Sequence, residues 1–210
     1  MTVVLTLDLG TNGARAGVFD LDARRLIGKA EAGYPTHHLP PNRAEQDPDD
    51  WWRALGQAVR AALAESGRPA IGAITVATFS STVVAADRAG RPLAPAILWM
   101  DARAAAEAAE SESIEHPVLH YSGGSNAVEW LVPKAMWLAR HQPDLWARTE
   151  VICEALDFVN YRLTGEWAGS LMNATCKWNY DSRARAFCPD LYERFGVPEL
   201  ARRLPQRIVE

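Results

Sequence analysis

Asp8, Gly10, Thr11, Asn12 and Arg15 fall within the stretch VVLTLDLGTNGARAGVFD from Val3 to Asp20, and these residue types at this spacing suit the binding of a phosphate group. Glycines let backbone N–H groups approach an anion closely. A threonine hydroxyl donates to a phosphate oxygen, and a carboxylate at a strand end can hold a hydrated Mg²⁺ against that phosphate. Asp8 is the metal candidate, and Gly10, Thr11, Asn12 and Arg15 are the phosphate candidates beside it. The same residues also make an ordinary hairpin with an Asn-Gly turn, and the stretch by itself does not separate the two readings.

The elements that must carry these groups follow from the spacing of apolar residues. Val3, Leu5 and Leu7 alternate with Val4, Thr6 and Asp8, and Ala14, Ala16 and Val18 alternate with Arg15, Gly17 and Phe19. Two strands are therefore expected about an Asn12-Gly13 turn. Arg25 to Tyr34 reads as a third antiparallel strand, followed by a proline-containing loop through Pro41. Asp47 caps a helix that has Pro48 at its first position and Asp49 and Asp50 in its first turn. Trp52, Leu55, Val59 and Leu63 form the expected buried face, and Ser66-Gly67 closes it. Ile71 to Thr78 reads as a buried strand, and Thr82 to Ala86 and Pro95 to Trp99 as two more around an Ala89-Gly90 turn.

Past Asp101 the pattern turns helical. An alanine and glutamate run to Glu110 predicts a surface helix, and Tyr121 to Ser125 an irregular loop. Pro133 to Arg140 and Leu156 to Leu163 are helices, the latter facing inward through Leu156, Val159 and Leu163, with a short strand at Val151-Ile152-Cys153 between them. No repeat or low-complexity linker interrupts the chain, so one compact domain with strands early and helices late is expected.

Composition narrows the class further. The chain of 210 residues is 48% hydrophobic and 23% charged, which is enough to build a sizeable core. A net charge of −4 with scattered Lys and Arg leaves no basic footprint for nucleic acid. Cys153, Cys176 and Cys188 are odd in number and lack C-x-x-C spacing, so neither a disulfide framework nor a zinc site is expected. The apolar start is broken by Asp8 and no run approaches the length of a membrane span, so a cytoplasmic protein without a membrane partner is the expectation.

Several ordered motifs resemble the FGGY carbohydrate kinases. They are Asp8-Leu9-Gly10-Thr11 with Arg15 and Asp20, Glu45-Gln46-Asp47-Pro48 before Trp51-Trp52, Asp87 with Gly90-Arg91-Pro92-Leu93, and Ile97-Leu98-Trp99-Met100-Asp101-Ala102-Arg103. Pro133-Lys134, Leu163-Thr164-Gly165-Glu166 and Asn173-Ala174-Thr175 extend the resemblance over nearly the whole chain. It implies an α/β, actin-like ATPase (ribonuclease H-like) domain with a mixed sheet and flanking helices. It also implies ATP and Mg²⁺ as cofactors, a small-molecule sugar as the partner, and a homodimer as the assembly to consider. Family members carry the catalytic aspartate in a Gly-Asp motif followed by an adenine-binding second domain. No Gly-Asp pair occurs here, so residues 1–210 are expected to be the N-terminal domain, with the base beyond Glu210 and no turnover by these residues alone. A noncatalytic sugar- or nucleotide-binding module is the alternative.

By the same resemblance, Asp8 positions the metal, Thr11, Asn12 and the Gly10 backbone contact the γ-phosphate, and Arg15 supports them. Gly13 departs from the family, which often has a hydroxyl residue there. Ser80, Ser81, Trp99, Asp101, Glu129 and Lys177 correspond to sugar-site positions. Each also has an ordinary role: Trp99 as core, Asp101 as a helix cap beside Arg103, Lys177 as a solvated surface charge. Thr175-Cys176-Lys177-Trp178 resembles the segment that carries a substrate lysine in ribulokinase-type members. Ser80-Ser81 stands where glycerol kinases have an Arg-Glu pair and xylulokinases a Met-His pair, which points to a ketopentose of the ribulose type.

Overall fold

A computed structural model describes residues 2–210. The chain runs through β1 (Val3–Gly10), β2 (Gly13–Asp20), β3 (Arg25–Gly33), β4 (His37–Leu39), β5 (Arg43–Gln46), α1 (Pro48–Glu65), β6 (Ala73–Thr78), β7 (Val83–Ala86) and β8 (Ala96–Ile97). It continues through α2 (Ala105–Ser111), α3 (Leu131–His141), α4 (Pro143–Arg148), β9 (Val151–Glu154), α5 (Ala155–Thr164), β10 (Ala168–Ser170) and α6 (Leu171–Lys177). Short elements follow: β11 (Tyr180–Asp181), β12 (Ala186–Phe187), α7 (Pro189–Arg194), α8 (Leu200–Arg203) and β13 (Arg207–Val209). The chain gathers into two compact units, one made of residues up to Thr36 with Asp47–Phe79, the other of His37–Gln46 with Ser80–Glu210. No long linker or shift of composition marks the crossings, so the division has no signature in the sequence. Among the described residues no helix is long and apolar enough to cross a membrane.

The first unit is a mixed sheet in the order β3-β2-β1-β6. β1 and β2 pair antiparallel from Val3 with Asp20 to Gly10 with Gly13, so the turn residues are Thr11 and Asn12 rather than Asn12 and Gly13. Neither turn residue nor Gly13 has a positive φ. Gly13 matters for a different reason: an added Cβ would lie 2.8 Å from the Ala32 carbonyl oxygen of β3, leaving no room for a hydroxyl side chain. Alternate residues of β1 are buried, as its pattern demands.

Two expectations for this unit change. α1 has the expected cap, with the Asp47 carboxylate accepting from the Asp49 amide, but its buried stripe is Trp51, Ala54, Leu55, Ala58 and Ala62, about one residue round from the predicted face. The helix packs on β2 and β3, and where it meets Gly28 an added Cβ would collide with the Ala62 carbonyl. A face of alanines permits this close approach, and larger side chains would hold the helix off. β6 is not buried: Ile74 is 51% exposed, because β6 pairs with β1 on one side and forms the free edge of the sheet among the described residues.

The second unit is built on a sheet ordered β4-β5-β8-β7-β9, with each neighbouring pair antiparallel. The segment expected as a loop through Pro41 is instead the β4–β5 hairpin, turned at residues 40–42 with Asn42 at a φ of 56°. The fully buried β7 and β9 pack beneath α3, which starts two residues before Pro133, and the Leu131, Val132, Ala135 and Met136 side chains join Trp178, Tyr192 and Phe195 in the core. α5 buries Ala155, Asp157, Phe158 and Val159, leaving Leu163 exposed before Gly165 ends the helix at a φ of 76°.

Candidate functional site

The hairpin of the first unit presents its polar groups at one end. Asp8 and Arg15 face each other across β1 and β2, and their ion pair of 2.6 Å leaves both side chains about half exposed. Arg15 is also the register partner of Glu31 on β3, so the three strands carry a ladder of alternating charge. Beside the turn lies a shallow depression of about 220 Å³ lined by Asn12, Gly13, Arg15, Glu31, Ala32 and Gly33.

Sequence reasoning missed Tyr34, whose hydroxyl donates to the Gly10 carbonyl and ties the end of β3 to the turn. Burial, followed by the nearby Asp8 carboxylate, pushes its phenol well above the usual tyrosine range, so it stays a donor at any physiological pH.

In the second unit the predicted sugar residues separate into two groups. Lys177 ends α6 with its side chain 12% exposed, and its ammonium donates to the Ser80 hydroxyl, to Asn173 Oδ1 at 3.0 Å and to Glu154 Oε2 at 3.3 Å. Lys177 is thus a seated group whose three N–H directions are all engaged. Ser80 is exposed, whereas Ser81 is 6% exposed and donates its backbone N–H to Glu154 Oε2 at 2.9 Å. Trp99 is 44% exposed, with its backbone N–H donating to Thr82 Oγ1 at 3.2 Å. Glu129 is half-buried.

Asp101 belongs elsewhere. It is 1% exposed, accepts from the Ala44 amide at 2.6 Å and from Arg103 through Nε at 2.9 Å and Nη2 at 2.7 Å, and Arg103 continues to Glu45 at 2.6 Å. Burial raises its pKa, but the Arg103 and Ala44 hydrogen bonds outweigh burial and hold the carboxyl below the usual range. The expected sugar contact is therefore corrected to a structural one: both oxygens are spent on holding β5 to the segment after β8.

Two organising residues were not among the expected site residues: Glu154, and Lys134, which the sequence marked only as part of the Pro133-Lys134 motif. Glu154, 1% exposed at the end of β9, joins Ser81, Lys177 and the Trp178 indole, the last at 3.1 Å. Its only trace in the sequence is a carboxylate at a strand-to-helix junction. Lys134 on α3 is fully buried and donates to the carbonyls of Ser81 and Leu98, each at 2.7 Å. Burial lowers its pKa to about 7 against the opposing pull of Asp101, Glu154 and Glu129.

That shift has a sign. An unfolded lysine keeps its proton up to about 10.5, so between about 7 and 10.5 the unfolded chain binds a proton that the native chain lacks, and the Lys134 contribution to stability rises with pH. Below about 7 both states are protonated and the contribution is constant. The wild-type Tm minus that of Lys134→Met is expected to grow between pH 7 and 9 in thermal melts; a gap that is flat or shrinks would show that Lys134 stays charged.

These features match known proteins over most of the chain. A model of the FGGY family of carbohydrate kinases, N-terminal domain, matches residues 3–208. The chain is 32% identical over 209 residues to a glycerol kinase of Thermococcus onnurineus (strain NA1), covering 93% of this chain and 41% of the relative. It is 31% identical over 202 residues to an autoinducer-2 kinase of Salmonella choleraesuis (strain SC-B67), covering 92% and 38%. The crystal structure of a xyloylose kinase from Brucella ovis superposes with a TM-score of 0.87 at 29% identity, over 99% of this chain and 42% of that one. The chain thus spans about two fifths of the length of the relatives it matches. Its fold is the actin-like, ribonuclease-H-type α/β fold. With the match running almost from end to end, this chain belongs to the FGGY family of carbohydrate kinases, as an N-terminal domain.

Proposed function

We propose that the complete protein transfers the γ-phosphoryl group of ATP to a hydroxyl of a small sugar, with a pentulose of the ribulose type as its preferred substrate. Lys177 carries this reading. Its ammonium is nearly buried and already holds a hydroxyl, that of Ser80, together with the Asn173 amide oxygen and the Glu154 carboxylate. A sugar hydroxyl or keto oxygen has the chemistry to take the Ser80 place, leaving Ser80 and Asn173 to complete the polar set and the exposed Trp99 ring to cover an apolar sugar face.

The first unit supplies the anion-binding half of the chemistry. Phosphoryl transfer needs oriented donors and cations that neutralise the γ-phosphate as charge shifts. Thr11 and Asn12 at the turn offer those donors, and Tyr34 steadies the turn through Gly10. A Mg²⁺ ion fits Asp8: its carboxylate is half exposed and gives Oδ2 to Arg15, and Mg²⁺ is commonly held by one or two carboxylates with water and substrate phosphates. When bound, the ion supplies neutralisation of phosphate charge. The proton acceptor is assigned to no residue of this chain.

A panel of sugars assayed with ATP and the complete enzyme tests the proposal. D-ribulose or L-ribulose is expected to give the highest kcat/KM, above D-xylulose and far above glycerol, since Ser80-Ser81 has neither the charge of an Arg-Glu pair nor the bulk of a Met-His pair. A preference for glycerol would overturn the substrate class.

A further inference from the structure

Resting on the sugar-site reading of Ser80 and Trp99, we propose that Lys134 is a positioning residue: its buried amino group clamps the Ser81 and Leu98 carbonyls together and thereby sets where the Ser80 hydroxyl and the Trp99 ring stand.

The geometry is specific. Ser81 has a φ of 60°, in the left-handed region that serine adopts only at a cost. Its backbone is pinned on both sides by buried side chains, an acceptor on one side and a donor on the other. The N–H donates to Glu154 Oε2 at 2.9 Å, and the carbonyl accepts from Lys134 Nζ at 2.7 Å. Ser80 lies on the N-terminal side of this pinned residue, and its hydroxyl meets Lys177. The second clamp is on the peptide that enters Trp99. Its carbonyl, from Leu98, accepts from Lys134 at 2.7 Å, and its N–H donates to Thr82 Oγ1 at 3.2 Å.

One amino group therefore joins the segment before β7 to the segment after β8, alongside the Val83–Ile97 pairing and the bond from the Trp99 N–H to Thr82 Oγ1. A fully buried lysine costs free energy, and Asp101, Glu154 and Glu129 lie close enough to offset part of that cost. A methionine or leucine would fill the same space without that penalty. What the amino group adds is direction: N–H donors aimed at two carbonyls that a hydrocarbon side chain leaves unpaired.

The test uses the complete enzyme, Lys134→Met, and the best sugar of the panel. Amide hydrogen exchange at Ser81 and Trp99 is expected to quicken at least tenfold while exchange in β1 and β2 stays unchanged. KM for that sugar is expected to rise about tenfold or more, with kcat within about threefold of wild type and KM for ATP unmoved. A merely structural lysine would lower stability without that split between the two substrates. Lys134→Gln keeps N–H donors on a shorter neutral side chain and serves should Lys134→Met not fold; its effects are expected in the same direction and smaller. Unchanged exchange at Ser81 and Trp99 in a folded variant would overturn the clamp whatever the sugar. Faster exchange with an unaltered KM for every sugar would leave the clamp standing and remove Ser80 and Trp99 from the sugar site, so the two failures are told apart.

Discussion

Asp8→Asn and Thr11→Ala are each expected to lower kcat of the complete enzyme by roughly 10²-fold or more, the scale found when one group that stabilises developing charge is removed. The phosphate hairpin makes this an expectation about chemistry rather than folding. The Asp8–Arg15 ion pair is about half exposed on both sides, so its loss costs little, of order 0–1 kcal/mol. The β1–β2 register is set by eight paired positions and by the buried alternation of β1, neither of which depends on Asp8 or Thr11. Melting temperatures within a few degrees of wild type are therefore expected alongside the fall in kcat, with KM for the sugar little changed. Wild-type kinetics in both variants would reduce the hairpin to an ordinary turn.

Lys177→Met is expected to lower kcat/KM for the preferred sugar about 10- to 150-fold, the equivalent of roughly 1.5–3 kcal/mol for a buried hydrogen bond to a charged group. The side chain is 12% exposed and engages Ser80, Asn173 and Glu154, so its removal takes away a donor that the surrounding acceptors were arranged to receive. Glu154 keeps its bonds from the Ser81 amide and the Trp178 indole, which limits the structural damage. Near-UV circular dichroism would check that Trp178 stays packed. KM for ATP should hardly move. A Lys177→Met variant that phosphorylates its best sugar at the wild-type kcat/KM would show that the sugar sits elsewhere.

What was legible in the sequence is local. The β1–β2 hairpin follows from a period of two over sixteen residues, the start of α1 from Asp47 and Pro48, and the end of α5 from Gly165, because strand alternation and helix caps are decided by residues within a turn or two of each other. Lys177 is nominated by the resemblance of Thr175-Cys176-Lys177-Trp178 to a family segment, not by alternation or capping. The motifs near Asp8 and Trp99 also pointed to the family before any contact was known.

Only the tertiary structure decided the partners. Lys177 meets Ser80 across 97 residues of chain, Arg103 meets Glu45 across 58, and Lys134 reaches Ser81 across 53. No periodicity encodes such meetings. Asp101 looked like a ligand because a carboxylate beside an arginine has the same letters whether it faces solvent or closes a buried network. The face of α1 turned on the close approach of Gly28 to Ala62, and the exposure of β6 on its place at the edge of a sheet. A hydrophobic pattern states that a residue prefers burial, whereas the strands and helices that come to cover it are chosen by the packing of the whole unit.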